Sequence, residues 1–308
     1  MTKGKKRVAV LMGGWNGERE VSLSSGRGVV NALQERGYDV VPIELTRNLP
    51  FLLEMLDPKP DVIFMCSLHG RWVEDGCLQG MFEILGIPYT NSSPLSSALA
   101  MDKPMALKVF REAGIPCPNG KVVRIKELFE KEILPLPFVI KPLREGSSLG
   151  VHIIQTHKDL KNIEKDWQYG DQCLVEVYIP GREVQVAILG DQAVGAIEIR
   201  PKQQFYDYTA KYSDGYAEHI MPAAIPENAY QEALEWALKA HKSLGCEGVT
   251  RVDLRYDDTQ NPAKFYVLEV NTQPGLTPLS LVPEIVAYHG MNYGDLLEWM
   301  IENPRYPH

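Results

Sequence analysis

The sequence predicts an α/β unit followed by a mixed α+β region, and three patterns indicate this fold class. Over residues 7–90, short apolar runs alternate with helical segments, which is the signature of a parallel sheet. Beyond a proline-rich connection that follows Gly114, strand-like runs dominate. Further along, the alternating runs 249–256 and 264–271 flank a turn-rich segment and predict an antiparallel hairpin. With 308 residues, the chain is long enough for two or three domains.

The N-terminal unit, residues 1–96, is predicted to be a parallel-sheet domain. Its expected elements are strand 7–12, helix 22–36, strand 39–45, strand 61–66, helix 77–85 and a short strand 87–90. Gly37 and Gly86 stop the two helices, and Ser22 is expected to be the N-cap of the first. Such a sheet binds ligands at the loops after its strand ends, so we expect part of a binding site there.

A central domain, residues 97–180, and a C-terminal domain, residues 181–308, are predicted to follow. A helix is expected directly after the N-cap Asp102. The later elements are expected to be strands 121–124, 137–141, 151–155, 172–178, 183–189 and 193–199, helix 227–244 and helix 293–302. Residues 201–216 are rich in aromatic side chains but have no helical or strand period, which predicts a mobile functional loop. His241 lies in a packing helix and is expected to be structural.

The composition argues against several classes of protein. Acidic residues outnumber basic ones by 40 to 32, which gives a net charge of -8 and no concentrated basic surface for nucleic acid. No apolar run approaches the ~20 residues of a membrane span, so no membrane partner is expected. The five cysteines are an odd number and widely scattered, which favours reduced thiols and a cytoplasmic location.

The predicted hairpin carries the polar residues that best suit a metal. If odd-numbered residues pair with odd-numbered ones, then Arg251, Asp253, Glu269 and Asn271 share one face. The other face is expected to be core and consists of Val252, Leu254, Tyr256, Tyr266, Leu268 and Val270. Three oxygen donors suit Mg²⁺, which takes few carboxylates together with substrate phosphates. The alternative is a solvated polar face. The turn at residues 272–275 argues against this alternative, because such a turn can present backbone N–H groups to an anion.

A glycine-rich loop lies between two expected strands of the central domain. The strand that ends at Lys141 is followed by residues 144–150, Arg-Glu-Gly-Ser-Ser-Leu-Gly, whose backbone N–H groups can approach phosphate oxygens. On spacing alone, an ordinary hairpin turn is the alternative. The loop matches neither the Walker pattern nor the dinucleotide fingerprint, which argues against an NAD-dependent dehydrogenase. Residues 176–183 offer two carboxylates and backbone groups around an extended segment.

Taken together, the motifs resemble the D-alanine–D-alanine ligase family over essentially the whole chain and in the family's order. The matching stretches are Gly13-Gly14, Glu18 to Ser22, Leu68-His69-Gly70, Glu74-Asp75-Gly76, Met101-Asp102-Lys103, Val139 to Pro142, Arg144 to Ser148, Phe205 to Tyr208, Ala210-Lys211-Tyr212, Arg251-Val252-Asp253 and Leu268 to Thr272. Gln273 and Leu276 stand where many relatives have other residues.

The resemblance implies a three-domain ATP-grasp fold with an N-terminal Rossmann-like domain and ATP between the central and C-terminal domains. It implies an enzyme of peptidoglycan synthesis, in which ATP phosphorylates the carboxylate of one D-alanine and the amine of a second attacks the acyl phosphate. The expected cofactors are ATP and two Mg²⁺ or Mn²⁺ ions. A homodimer is expected on the same ground.

Individual roles follow from the resemblance position by position. The residues expected to contact the nucleotide are Lys103, Lys141, Glu176, Val177, Ile179, Glu183 and Lys211. The expected metal ligands are Asp253, Glu269 and Asn271. Those expected to act in catalysis are Glu18, Ser147, Tyr212, Arg251 and Gly275. Those expected to hold the two D-alanine molecules are Glu18, His69, Ser280 and Leu281.

Two alternatives to this function remain open on the sequence. The first is a ligase of the same fold that accepts D-lactate or D-serine as its second substrate; Tyr212 argues against D-lactate, since its family counterpart marks the dipeptide-forming enzymes. The second is a non-catalytic nucleotide-binding module, which need not retain the metal set that Asp253, Glu269 and Asn271 form.

Overall fold

Three β-sheets make up the framework of the protein. A computed structural model describes residues 6–15, 18–146, 149–201, 217–278 and 280–307. One sheet is parallel and belongs to the N-terminal unit, whereas the other two are antiparallel and follow in chain order. The predicted fold class, an α/β unit followed by α+β units, is therefore confirmed.

The N-terminal sheet has the strand order β2-β1-β3. Its elements are β1 (Arg7–Gly13), α1 (Arg19–Glu35), β2 (Asp39–Leu45), α2 (Leu49–Met55), β3 (Val62–Met65) and α3 (Cys77–Leu85). The expected strand at 87–90 amounts to single bridges from Tyr89 to Ile63 and Arg305. Ser22 lies inside α1 and is not its N-cap; its hydroxyl accepts from Gly13 N and donates to Cys66 O, joining the ends of two strands.

Two helices lead from the parallel sheet into the central one. They are α4 (Pro94–Met101), which was not predicted, and α5 (Lys103–Glu112). Asp102 is the N-cap of α5, as predicted, and accepts from Met105 N at 3.1 Å. The central sheet has the order β4-β7-β5-β6. Its elements are β4 (Gly120–Arg124), α6 (Glu127–Glu130), β5 (Phe138–Lys141), β6 (His152–Ile154), α7 (Leu160–Asp166) and β7 (Gln172–Val177).

The third sheet has the order β10-β9-β8-β11-β12. Its elements are β8 (Arg182–Leu189), β9 (Gln192–Pro201), β10 (Ala217–Ile220), α8 (Glu227–Ser243), β11 (Val249–Asp257), β12 (Lys264–Asn271), α9 (Leu281–Tyr288) and α10 (Tyr293–Glu302). The predicted loop therefore begins after β9, and its residues 202–216 lie outside the described ranges. His241 is buried in α8 against Thr250, with 2.8 Å between its Nδ1 and the hydroxyl, so its structural assignment is confirmed.

The β11–β12 hairpin confirms one predicted face and corrects the other. Arg251 pairs with Asn271 and Asp253 with Glu269, as expected. A β-bulge after Asp253 then shifts the register by one residue. Because of this shift, the core face of β12 carries Phe265, Val267 and Val270, and the prediction of Tyr266 and Leu268 as core residues was wrong.

Apolar packing joins the N-terminal unit to the C-terminal helices. Val10 and Phe64 of the parallel sheet share one buried cluster with Leu296 and Met300 of α10. Such fully buried side chains contribute roughly 1.5–3 kcal/mol each, so this cluster holds the parallel sheet against the third sheet. All five cysteines have free thiols. Among the described residues, no helix has the length and apolar character needed to cross a membrane.

Candidate active site

A cavity of about 610 Å³ lies between the central sheet and the third sheet. Apolar side chains of β5, β6 and β12 line its walls together with charged side chains of both signs. Six of the seven residues expected to contact the nucleotide line this cavity: Lys103, Lys141, Glu176, Val177, Ile179 and Glu183. The seventh, Lys211, is outside the described residues. A cavity with apolar walls and buried basic side chains suits a ligand with a flat ring and an anionic tail.

Lys141 is a buried cation at the end of β5. Its Nζ is 2.6 Å from Oε2 of Glu176, which lies opposite Val139 on the neighbouring strand β7 and is only 2% exposed. Burial acts to lower the pKa of Lys141, but the charges of Glu176, Glu269 and Glu183 outweigh it and hold that pKa above its usual value. Lys141 therefore remains a cation available to a phosphate group.

Lys103 brings a second buried ammonium to the same end of the cavity. It lies in the first turn of α5, where its Nζ donates to the carbonyl of Glu145 in the glycine-rich loop. Its Nζ is also 3.5 Å from Oε2 of Glu269. Burial raises the pKa of Glu145, although the charge of Lys103 opposes the rise. Lys103 thus connects the glycine-rich loop to the polar face of the hairpin.

The polar face of the hairpin offers oxygen donors that suit a hard cation. Asp253 and Glu269 lie opposite each other on adjacent strands and both line the cavity. Asn271 follows on the same face, and its Oδ1 accepts from Gln273 N at 2.9 Å. Within the described part of the chain, no group of three or more His, Cys, Asp and Glu side chains is placed to hold a metal. Two carboxylates and an amide therefore fit Mg²⁺ only as a site completed by substrate phosphates and water, the usual arrangement for this ion.

Arg251 lies directly beside these donors. Its Nε and one terminal nitrogen donate to the two carboxylate oxygens of Asp253, at 2.7 and 3.0 Å. This two-point contact fixes the plane of the guanidinium, since both groups are planar. Arg251 is thereby held next to Asp253, one of the oxygen donors of the hairpin.

A second polar pocket lies at the carboxyl edge of the N-terminal sheet. It contains Glu18, His69 and Glu74, all buried. His69 Nδ1 is 3.6 Å from Oε2 of Glu74, and the same oxygen accepts from Gly70 N at 2.9 Å. Burial acts to lower the pKa of His69, but the hydrogen bond to Glu74 and the charges of Glu18 and Glu74 outweigh it and raise that pKa. The two buried carboxylates, Glu18 and Glu74, suit the ammonium of an amino acid.

The turn after β12 brings the remaining expected residues together. A Cβ added to Gly275 would lie 2.9 Å from the hydroxyl oxygen of Ser280, so a glycine is needed at this close approach. The same hydroxyl accepts from Thr277 N at 3.0 Å. Leu281 begins α9 directly afterwards, and the first N–H groups of a helix are a favourable site for a carboxylate. The turn thus places Gly275 and Ser280 together, directly before a helix end that suits an anion.

Some expected residues are not described, and some residues in the site were not expected. Ser147 and Tyr212, like Lys211, lie outside the described residues. Glu74 belongs to the matching stretch Glu74-Asp75-Gly76, but no role was predicted for it from the sequence. Gln185 was not identified either: it is buried on β8, two residues after Glu183, and its Nε2 donates to Oε1 of Glu183 at 3.2 Å. The strand period of two, which places these residues on one face, was the signal that could have found it.

Comparison with known proteins agrees with this geometry. Residues 109–302 match the family model for the D-ala D-ala ligase C-terminus, and residues 7–60 match the one for the N-terminus. The chain is 50% identical to the D-alanine–D-alanine ligase of Granulibacter bethesdensis, over 96% of this chain and 97% of that one. It is 49% identical to the enzyme of the same name from Paramagnetospirillum magneticum, over 97% and 99%.

Solved structures show the same likeness in three dimensions. The D-alanine–D-alanine ligase of Bacillus anthracis complexed with ATP superposes with a TM-score of 0.82 at 32% identity, over 98% of this chain and 97% of that one. The VanG D-Ala:D-Ser ligase of Enterococcus faecalis gives 0.80 at 32% identity, over 97% and 99%. By its sequence, its fold and its family-model matches, the chain belongs to the D-alanine–D-alanine ligase family.

Proposed function

We propose that this protein joins two D-alanine molecules to form D-alanyl-D-alanine, with conversion of ATP to ADP and phosphate, for peptidoglycan synthesis. The observation that carries the proposal is the juxtaposition of three parts. Lys103 and Lys141 line a nucleotide-sized cavity, the buried carboxylates beside His69 suit an ammonium, and the turn at Gly275 follows the hairpin. The near-complete coverage of ligase relatives supports the same chemistry.

In the proposed first step, a carboxylate oxygen of the first D-alanine attacks the γ-phosphorus of ATP and ADP leaves. Glu18 holds the ammonium of this D-alanine, and His69 lies close to the same substrate. Lys103 and Lys141 hold the phosphates, with Lys211 as a third contact. The adenine and ribose are held by Glu176, Val177, Ile179 and Glu183. Two Mg²⁺ or Mn²⁺ ions held by Asp253, Glu269 and Asn271 would supply neutralisation of the phosphate charge.

In the proposed second step, the amine of the second D-alanine attacks the carbonyl carbon of the acyl phosphate. Arg251 and the N–H of Gly275 stabilise the oxyanion that develops on the carbonyl oxygen. Phosphate then leaves with the carboxylate oxygen that attacked ATP, and the nitrogen loses a proton as the peptide bond forms. Ser280 and the N–H of Leu281 hold the carboxylate of the second D-alanine. Ser147 and Tyr212 are proposed to link to Glu18 when the site is closed.

The proposal also covers the domain boundaries, the cellular location and the oligomeric state of the protein. Its domains are residues 1–96, 97–180 and 181–308, each containing one of the three sheets. The enzyme acts in the cytoplasm, where ATP is available and where its free cysteines stay reduced. It is a homodimer, as the resemblance implies.

D-serine as the second substrate is the alternative function with a specific observation behind it. The VanG D-Ala:D-Ser ligase shares the fold over 97% of this chain. However, relatives of about 50% identity over nearly the whole chain are D-alanine–D-alanine ligases. We therefore propose D-alanine as the preferred acceptor and rank D-serine and D-lactate below it.

A substrate panel tests this function directly. Phosphate release from ATP and Mg²⁺ is followed with D-alanine, with L-alanine, and with D-alanine plus D-serine or D-lactate, and the products are identified by mass spectrometry. We expect D-alanine alone to give the dipeptide and L-alanine to give none. Product only in the presence of D-serine or D-lactate would replace the proposed acceptor. The absence of any turnover would favour a non-catalytic nucleotide-binding module.

A further inference from the structure

Gln273 lies at the contact between the N-terminal unit and the catalytic hairpin. It follows β12 and is 1% exposed. Its Nε2 donates to the carbonyl of Val73 at 2.9 Å, and its Oε1 accepts from the N–H of Leu68 at 3.2 Å. A single side chain thus holds the loop that carries His69 at two points, one on each side of that residue.

Backbone hydrogen bonds of residues 272–274 connect Gln273 to the hairpin and to the N-terminal unit. Its N–H donates to Oδ1 of Asn271 at 2.9 Å, beside the proposed metal donors. Two residues of the N-terminal unit hold the neighbouring positions: Ser67 Oγ donates to Pro274 O at 3.2 Å, and Asn91 Nδ2 donates to Thr272 O at 2.8 Å. The segment from Thr272 to Pro274 is therefore fixed against the N-terminal unit at every residue.

The backbone conformations at this contact show that the surroundings hold it under constraint. Ser67 has φ of 46° and Asn91 has φ of 78°, in the left-handed region that side chains other than glycine rarely adopt. Such conformations persist where neighbouring contacts determine them. The side chain of each of these residues donates a hydrogen bond to the segment that contains Gln273. Directional hydrogen bonds of this kind fix the distance between the N-terminal unit and residues 272–274 more closely than apolar packing would.

We infer that Gln273 is a positioning residue that sets the His69 loop at the correct distance from the reacting end of the hairpin. On the proposed function, on which this inference rests, His69 lies beside the first D-alanine and Gly275 beside its carbonyl carbon. Gln273 itself contacts neither substrate; it acts through the backbone of Leu68 and Val73. Misplacement by about 1 Å can cost roughly a hundredfold in rate, so this link bears directly on the reaction.

The substitution Gln273→Met tests the inference because methionine has a similar length but cannot form the two hydrogen bonds. Leu68 N–H would be left unpaired in a buried place, Val73 C=O would keep only its hydrogen bond from Gln79 Nε2 at 3.2 Å, and the loop would be free to shift. We expect the KM for the first D-alanine to rise about tenfold or more, while the KM for ATP is unchanged. D-alanine binding measured by calorimetry with a non-hydrolysable ATP analogue should weaken in proportion.

Ser92→Ala is the matched control. The Ser92 hydroxyl is buried, donates to Glu247 O at 3.0 Å and accepts from Glu247 N at 3.1 Å. It therefore also ties the N-terminal unit to the C-terminal one through two backbone contacts, and among the described residues its hydroxyl makes no hydrogen bond to the His69 loop or to residues 272–274. Both substitutions should lower the melting temperature, and only Gln273→Met should raise the KM for the first D-alanine.

Gln273→Asn provides a second variant if methionine prevents folding. Asparagine keeps the amide but is one methylene shorter, so it cannot reach both Leu68 and Val73, and it should shift the same KM. A lowered melting temperature with an unchanged KM for the first D-alanine in either folded variant would overturn the inference. Failure of the parent enzyme to use D-alanine would instead refute the proposed function, so the two failures are distinguishable.

Discussion

Replacing Lys141 with methionine separates what this residue does for stability from what it does for ATP. Its Nζ is 2.6 Å from the carboxylate of Glu176, and the two side chains are 14% and 3% exposed. Among the described residues, Oε2 of Glu176 has no other hydrogen-bond partner. Lys141→Met therefore leaves a buried carboxylate without its counter-charge, which costs ~3–5 kcal/mol in the free energy of unfolding.

A double substitution provides the discriminating comparison. Lys141→Met with Glu176→Leu replaces the buried pair by apolar side chains, a change that is often neutral or stabilising. The double variant should recover most of the lost free energy of unfolding. Its KM for ATP should stay above the parental value, because the cation that faces the phosphates is still missing and the proposed nucleotide contact of Glu176 is lost as well.

Urea unfolding and steady-state kinetics measure the two effects. Lys131→Met is the control, since Lys131 pairs with Glu127 at 2.5 Å but is 60% exposed, and exposed pairs contribute little to stability. Equal losses of stability in Lys141→Met and Lys131→Met would refute the argument from burial. Recovery of the parental KM for ATP in the double variant would refute the phosphate-binding role of Lys141.

Three further predictions concern other buried groups. Burial lowers the pKa of His241 from 6.5 to about 4. As the pH falls, the unfolded chain therefore binds a proton at His241 before the folded protein does. The free energy of unfolding should consequently drop by ~3 kcal/mol between pH 6.5 and 4. Urea unfolding of His241→Gln should lack this drop, and an equal drop would assign it to other groups. Arg251→Lys loses the two-point contact with Asp253 and should lower kcat by about 10²–10³-fold with the KM for ATP unchanged; a raised KM with parental kcat in steady-state assays would contradict this. Gln185→Met removes the donor to Glu183 and should raise the KM for ATP by roughly 2–10-fold, whereas an unaltered KM would show that Glu183 needs no such support.

Elements bounded by strong local signals were predictable from the sequence. The bounds of β2, α3, β12 and α10 agree with the predicted ones. Each has a clear period, and a glycine stops α3. By contrast, α4 was missed, because Ser93 and Pro94 resemble a loop until the serine side chain is seen to cap the helix by accepting from Ser96 N.

The site was predictable where its residues share one local pattern, and not where they depend on distant partners. The shared face of Asp253 and Glu269 follows from the period of two. The bulge after Asp253 has no such signal, and it moves Leu268 from the core into the wall of the cavity. The contacts of Gln273 with Leu68 and Val73 span about 200 residues of chain, so only the fold reveals them.

The transfer of oxygen from substrate to phosphate tests the central claim most directly. D-alanine labelled with oxygen-18 in its carboxylate is incubated with the enzyme, ATP and Mg²⁺, and the released phosphate is analysed by mass spectrometry. If the carboxylate attacks the γ-phosphorus and the amine then displaces phosphate, each phosphate carries one oxygen-18 atom and the dipeptide forms in equal amount. Phosphate without the label, or label in AMP, would contradict an acyl-phosphate route.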